Sequence, residues 1–166
     1  MRIIQRLYTY FVQLMNLLQS PLLLAVRLYW GWQFFQAGWG KIHDISKPIQ
    51  FFASIGIPFP TANAYFVSYL ECVGGILLAI GLGGRLISIP LLIDMIVAYL
   101  KADNEAWHSF LSDPGKFYAA DPYTFLFAAL LILIFGPGAI SIDYLIRRRL
   151  DRDEPAGHVS RMAMRR

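Results

Sequence analysis

The stretch LLLAVRLYWGWQFFQAGWGK, residues 22–41, is apolar over nearly the length a helix needs to cross a bilayer, yet Arg27 sits inside it. A helix of about 20 apolar residues, rising 1.5 Å each, spans the roughly 30 Å hydrocarbon core. A charge at that depth costs about 2.5–3.5 kcal/mol on insertion scales, so it must face inward and find a partner. Further apolar runs follow at residues 61–82, 86–99 and 123–135. Across all 166 residues, 57% are hydrophobic and 16% charged, against about 25% charged in a soluble domain. The expected fold class is therefore an all-α membrane protein: a four-helix transmembrane bundle with an N-terminal interfacial amphipathic helix.

The segments divide as follows. In residues 1–20, Arg2, Arg6, Thr9, Gln13, Asn16 and Ser20 recur at spacings of three and four, which lines one side of a helix with polar groups and suits the headgroup plane. Ser20-Pro21 reads as a helix start, a cap followed by proline at the first position. The four-span domain is expected over 21–150, with span 1 at 21–39. Residues 42–60 are proline-broken and read as a short helix against the outer face, then a loop. Residues 101–121 form a polar loop, and span 4 begins at Asp121-Pro122. Its apolar core, 123–135, covers only about 20 Å, so the helix is expected to continue through GPGAISIDYLI unless the bilayer thins there. Residues 151–166 form a basic tail.

Arginine and lysine set the orientation. The N-terminal segment, Arg85 and the C-terminal stretch 147–166 carry ten, against four in the opposite loops, Lys41, Lys47, Lys101 and Lys116. Both termini are thus expected in the cytoplasm. The first twenty residues lack a short apolar core with a small-residue cleavage site, so the N-terminus is expected to be retained.

Several chemistries are poorly served by this chain. Cys72 is the single cysteine, which leaves no intrachain disulfide, CxxC motif or thiolate cluster. His43, His108 and His158 lie outside the spans, so no histidine pair is expected to hold haem within the bundle, and no metal site is expected. The glycines of GLGGR read as a turn. The arginine tail reads as a topology determinant facing anionic lipid headgroups. Membrane lipids, not nucleic acid, are its expected partners.

Three ionisable residues fall within spans: Arg27, Glu71 and Asp94. Counted from the span ends they lie roughly 9, 16 and 12 Å deep, so Arg27 is expected to pair with Glu71, Asp94 or both. Ala64, Ser68, Glu71, Gly75 and Ala79 make a small-residue stripe that allows close helix approach. Two readings stay open. One is an interhelical ion pair that fixes bundle register. The other is a polar pocket for a membrane ligand, in which Arg27 donates to a carbonyl and a carboxyl passes protons.

RLYWGWQFFQAGWGK resembles the first-span signature of the DoxX family through Arg27, Gly31, Phe35, Gly38 and Lys41. ECVGGILLAIGLGGR is similar to that family's second span through Glu71, Gly75 and Arg85, and GPGAISID resembles the end of its fourth. The resemblance covers roughly residues 22–143. It implies a four-helix inner-membrane protein linked to redox metabolism, since the family is named for subunits of a terminal quinol oxidase. DoxD relatives belong to a thiosulfate:quinone oxidoreductase, but no sulfur-compound site is identifiable in this chain. The expectation is an accessory subunit of a quinone-dependent oxidoreductase holding a quinone-type ligand. Its candidate binding residues are Arg27, Glu71, Asp94, Trp30, Phe34 and Lys41; no catalytic residue is assigned. A soluble or membrane redox partner would supply electrons, and a homo-oligomer is open. The alternatives are a structural or assembly protein that recruits a soluble enzyme and, less favoured, a small-solute or lipid transporter.

Overall fold

The computed structural model describes residues 2–153, and they are helical with short connections: α1 Arg2–His43, α2 Ser46–Ser54, α3 Pro60–Ile80, α4 Gly84–Lys101, α5 Asn104–His108, α6 Pro114–Ala119, α7 Pro122–Phe135 and α8 Ile142–Asp153. Two of them, α1 and α3, are long and apolar enough to cross a membrane. Helix α7 is as apolar but has 14 residues, and the 18-residue α4 carries Arg85, Asp94 and Lys101. Helix α1 packs on α3, α3 on α4, α4 on α7, and α7 returns to α1. Leu23, Phe34, Leu78, Leu91, Met95, Ala129 and Ile132 fill the space between them.

Backbone proximity sets the register of the α1–α3 pair. The two helices run antiparallel, with Gly31 against Gly75 and Gly38 against Ser68 and Cys72. A methyl group on Gly31 would stand 2.7 Å from the Gly75 carbonyl oxygen, and one on Gly75 would stand 2.5 Å from that of Gly31. Neither distance is tolerable, so these positions need glycine for the helices to approach this closely. Cys72, buried, packs here as a small residue.

Two expectations about boundaries fail. No helix starts at Ser20-Pro21; α1 runs through Pro21 as one helix. Proline's fixed φ is compatible with a helix, so one proline with no turn residues beside it removes a hydrogen bond without ending the helix. The Ser20 hydroxyl, instead of capping α1, accepts a hydrogen bond from the Ala139 amide at 3.1 Å. The arm before it leaves Leu7, Phe11, Leu14 and Leu18 exposed. Second, α7 does not extend through GPGAISIDYLI. It stops at Phe135, where Gly136 takes φ 78°. Helix α8 runs across residue 150, and most of the tail lies outside the described residues.

The loop over 101–121 contains two short helices rather than none. Tyr99 stacks on Phe117 with ring centroids 4.8 Å apart and donates its hydroxyl proton to the Phe117 carbonyl at 2.8 Å. This packs the loop against the C-terminal end of α4 and borders the cleft described next.

Candidate functional site

The charged residues expected to form one cluster divide between the two ends of the α1–α3 pair. Arg27 is fully buried at the end where α3 turns into α4. Its Nη2 donates to the Ile140 carbonyl, and its Nη1 occupies the space a side chain on Gly81 would need. No carboxylate lies within ion-pairing distance of Arg27 among the described residues. The carboxylate whose charge acts on it is Asp143. The pairing of Arg27 with Glu71 or Asp94 is therefore corrected. Ten residues of α3 separate Glu71 from Gly81, about 15 Å along the helix, and an arginine side chain cannot reach across that.

What surrounds Arg27 is a clasp made by the segment between α7 and α8. The Asp143 carboxylate accepts from the amides of Gly83 at 2.7 Å and Gly84 at 2.9 Å. It thereby satisfies the free N–H groups at the start of α4 and places negative charge at the positive end of that helix. The Asp143 amide donates to the Gly81 carbonyl at 3.0 Å, and Arg85 donates to the Ile134 carbonyl at 3.1 Å. Gly81 and Gly83 take φ 69° and 60° to make the turn. The motifs GLGGR and GPGAISID thus form one unit locked onto α1 by Arg27 and Ser20. Two guanidinium nitrogens, Nε and Nη1, lack protein partners in this packed surrounding.

At the opposite end Glu71 meets Lys41. The Lys41 ammonium donates to both Glu71 carboxylate oxygens, the first at 2.5 Å. Glu71 is buried, and the Lys41 side chain keeps 32% of its exposure. Lysine suits this place because its aliphatic stem can lie against apolar helix while the ammonium reaches the helix end. Beside the pair, Asp94 of α4 has one carboxylate oxygen, Oδ2, buried with no hydrogen-bond partner.

Glu71, Lys41 and Asp94 line a cleft of about 1210 Å³ between the ends of α1, α3, α4 and α7, with α2 along one side. Its walls are largely apolar, including Phe51, Phe52, Met95 and Phe125. Lys47, Lys101, Asp103 and Asp121 lie toward its polar side. Burial, then the neighbouring charge of Asp121, raises the Asp103 carboxyl above its ordinary range. Lys47 is held by Asp44 at 2.9 Å. The volume and the few converging polar groups fit a small organic ligand with an apolar body.

Of the six candidate residues, Glu71, Asp94 and Lys41 line this cleft and Arg27, Trp30 and Phe34 do not. Trp30 and Phe34 instead pack edge-on against Phe125, with centroids 5.2 and 4.7 Å away. Phe34 is fully buried and acts as core. The sequence reading missed Phe51, Phe52 and Phe125 as cleft walls and Asp143 as the cap of α4. An acid just beyond a glycine-rich segment was the available signal for the cap.

The family model DoxX matches residues 22–104. A Bacillus subtilis protein named "Putative oxidoreductase CatD" is 28% identical over 120 residues, covering 72% of this chain and 83% of that protein. A Mycobacterium tuberculosis protein named "Uncharacterized membrane protein Rv3486" is 33% identical over 139 residues, covering 78% and 83%. No solved structure matches. With half its length under the family model and a relative aligned over most of both chains, this all-helical membrane protein belongs to the DoxX family.

Proposed function

We propose that the protein is an integral subunit of the bacterial inner membrane, linked to redox metabolism, whose cleft beside Glu71 and Asp94 holds a quinone-type ligand. In this reading α1 from about residue 21, α3, α4 and α7 cross the membrane, and both termini are cytoplasmic. The observation that carries the proposal is the Asp94 carboxylate. It lines a cleft large enough for a substituted aromatic ring and part of its tail and has no hydrogen-bond partner for its buried Oδ2. Such an acceptor is costly unless something completes it. Phe51, Phe52 and Phe125 offer flat apolar contact, and Lys41 and Asp94 supply the few polar groups that fix orientation. A bound quinone supplies a two-electron, two-proton couple; the protein binds and orients it. The name of the Bacillus relative supports the redox link, and a partner protein would deliver or accept the electrons.

The test is lipid analysis of the protein purified into nanodiscs from its native membrane. Quinone should be retained above its share of the bulk membrane, and Ala98→Trp, which projects an indole into the cleft, should reduce retention at least several-fold. Retention equal to the bulk share in both would contradict the proposal. The alternative, a membrane scaffold that recruits a soluble enzyme, draws on the exposed Leu7, Phe11, Leu14 and Leu18 of the α1 arm. It predicts that an enzyme copurifies and is lost when those four are made polar, with quinone retention unaffected.

A further inference from the structure

Glu71 and Asp94 line the same cleft but differ in what they leave unspent. Both oxygens of Glu71 are taken by the Lys41 ammonium. The Asp94 carboxylate, on the cleft wall, has no hydrogen-bond partner among the described residues, and its Oδ2 is buried. An ionised carboxylate only accepts hydrogen bonds, whereas an ammonium offers three donors. Two of the Lys41 donors go to Glu71, which leaves one. The wall at this end of the cleft therefore carries an acceptor on Asp94 and a donor on Lys41. Arg27 adds nothing here, since it lies in the clasp at the other end of the α1–α3 pair.

A carbonyl oxygen placed at this end could accept from Lys41 but would leave Asp94 unpaired and set lone pair against lone pair. A hydroxyl could accept from Lys41 and donate to Asp94 at once. Sites with a buried polar group reject an otherwise identical ligand that cannot pair with it, because the group is then left desolvated and unsatisfied. The geometry points to Asp94 as the residue that sets redox-state preference: the cleft binds the hydroxyl form of its ligand, the quinol, more tightly than the quinone. This rests on the quinone-type reading of the cleft and adds which oxidation state it retains and which residue decides it.

The experiment uses the full chain in nanodiscs at pH 8 with three ligands of equal tail length: decyl-1,4-benzoquinone, its hydroquinone, and the hydroquinone dimethyl ether. Dissociation constants are measured by equilibrium dialysis, anaerobically for the hydroquinone. The hydroquinone should bind about tenfold more tightly than the quinone, and the ether, which has the same ring but no donor, no better than the quinone. Asp94→Asn places an amide donor where the carboxylate was. It should bring the hydroquinone-to-quinone ratio to about one or below, chiefly through tighter quinone binding. The ether comparison is made on the unaltered protein, so it stands even where the variant folds poorly. Equal binding of hydroquinone, quinone and ether would overturn the Asp94 inference and leave a quinone-type cleft in place. A tenfold preference that persists in Asp94→Asn would also overturn it. Binding of none of the three would overturn the quinone-type reading itself, and this inference with it.

Discussion

Arg27 and Glu71 are buried to almost the same degree, 0% and 3% exposed, but the two ends they occupy use charge differently. Around Arg27 the partners are backbone: the Ile140 carbonyl, and a loop itself tied down through Asp143, Gly81, Gly83 and Gly84. Around Glu71 the partner is a partly exposed lysine, and the neighbouring Asp94 lines a cleft with no hydrogen-bond partner for its buried Oδ2. The first arrangement fixes chain path. The second leaves bonding capacity at the wall of a cleft. Burial of a charge is therefore a weak guide to function by itself, and so is an unpaired polar atom, since Arg27 keeps two unpaired nitrogens in packed surroundings; a place on a cleft wall separates a charge available to a ligand from a structural one.

The difference can be broken at several points. The largest loss should come from the register that keeps the ends apart. Gly38→Ala drives a methyl group into the backbone of Ser68 and Cys72. It should destabilise the detergent-solubilised protein by about 3 kcal/mol or more, the upper end of overpacking costs. Gly40→Ala, where a methyl group meets open space, should leave the melting temperature nearly unchanged. Equal melting temperatures for the two variants would remove close α1–α3 approach as the organising feature.

At the cleft end the two halves of the ion pair should be unequal. Lys41→Met leaves a buried carboxylate alone and should cost about 3 kcal/mol, in line with broken buried pairs. Glu71→Gln leaves an ammonium that still reaches water and keeps an acceptor, and should cost about 1 kcal/mol. A larger loss for Glu71→Gln would show that Lys41 is the more buried partner.

At the clasp end the smallest effect is expected. Asp143→Asn retains one acceptor for the α4 amides but loses the charge, and should cost about 0.5 kcal/mol. It should leave quinone retention at the cleft unchanged. A change there would mean that the two ends communicate.

The apolar runs made the four long helices legible, with boundaries within a few residues for α3 and α4, because burial and length dominate such segments. The three motifs were also visible, but their meeting was not. GLGGR and GPGAISID come together through hydrogen bonds between residues some 60 apart in sequence, which no periodicity reports. The Arg27 pairing failed for a more instructive reason. Depth was counted separately on each helix, and side-chain reach was then asked to close the gap. Gly31 and Gly75, both within the quoted motifs, carry the register that was needed. Setting them opposite each other in an antiparallel pair puts Arg27 near Ala79 and Glu71 near Phe35, eight residues apart on α1, or about 12 Å. Asp94 was legible as a buried acid on a span, but its unpaired oxygen depends on where α4 packs and could not be read from sequence.

The most direct test of this division is a pair of double-mutant cycles on stability in detergent, one joining Lys41→Met with Glu71→Gln and the other Arg27→Leu with Glu71→Gln. A coupling of about 1 kcal/mol or more for Lys41 with Glu71, and near zero for Arg27 with Glu71, is the predicted result, since sites without shared partners add independently. The reverse pattern, with Arg27 coupled to Glu71 and Lys41 not, would contradict the account.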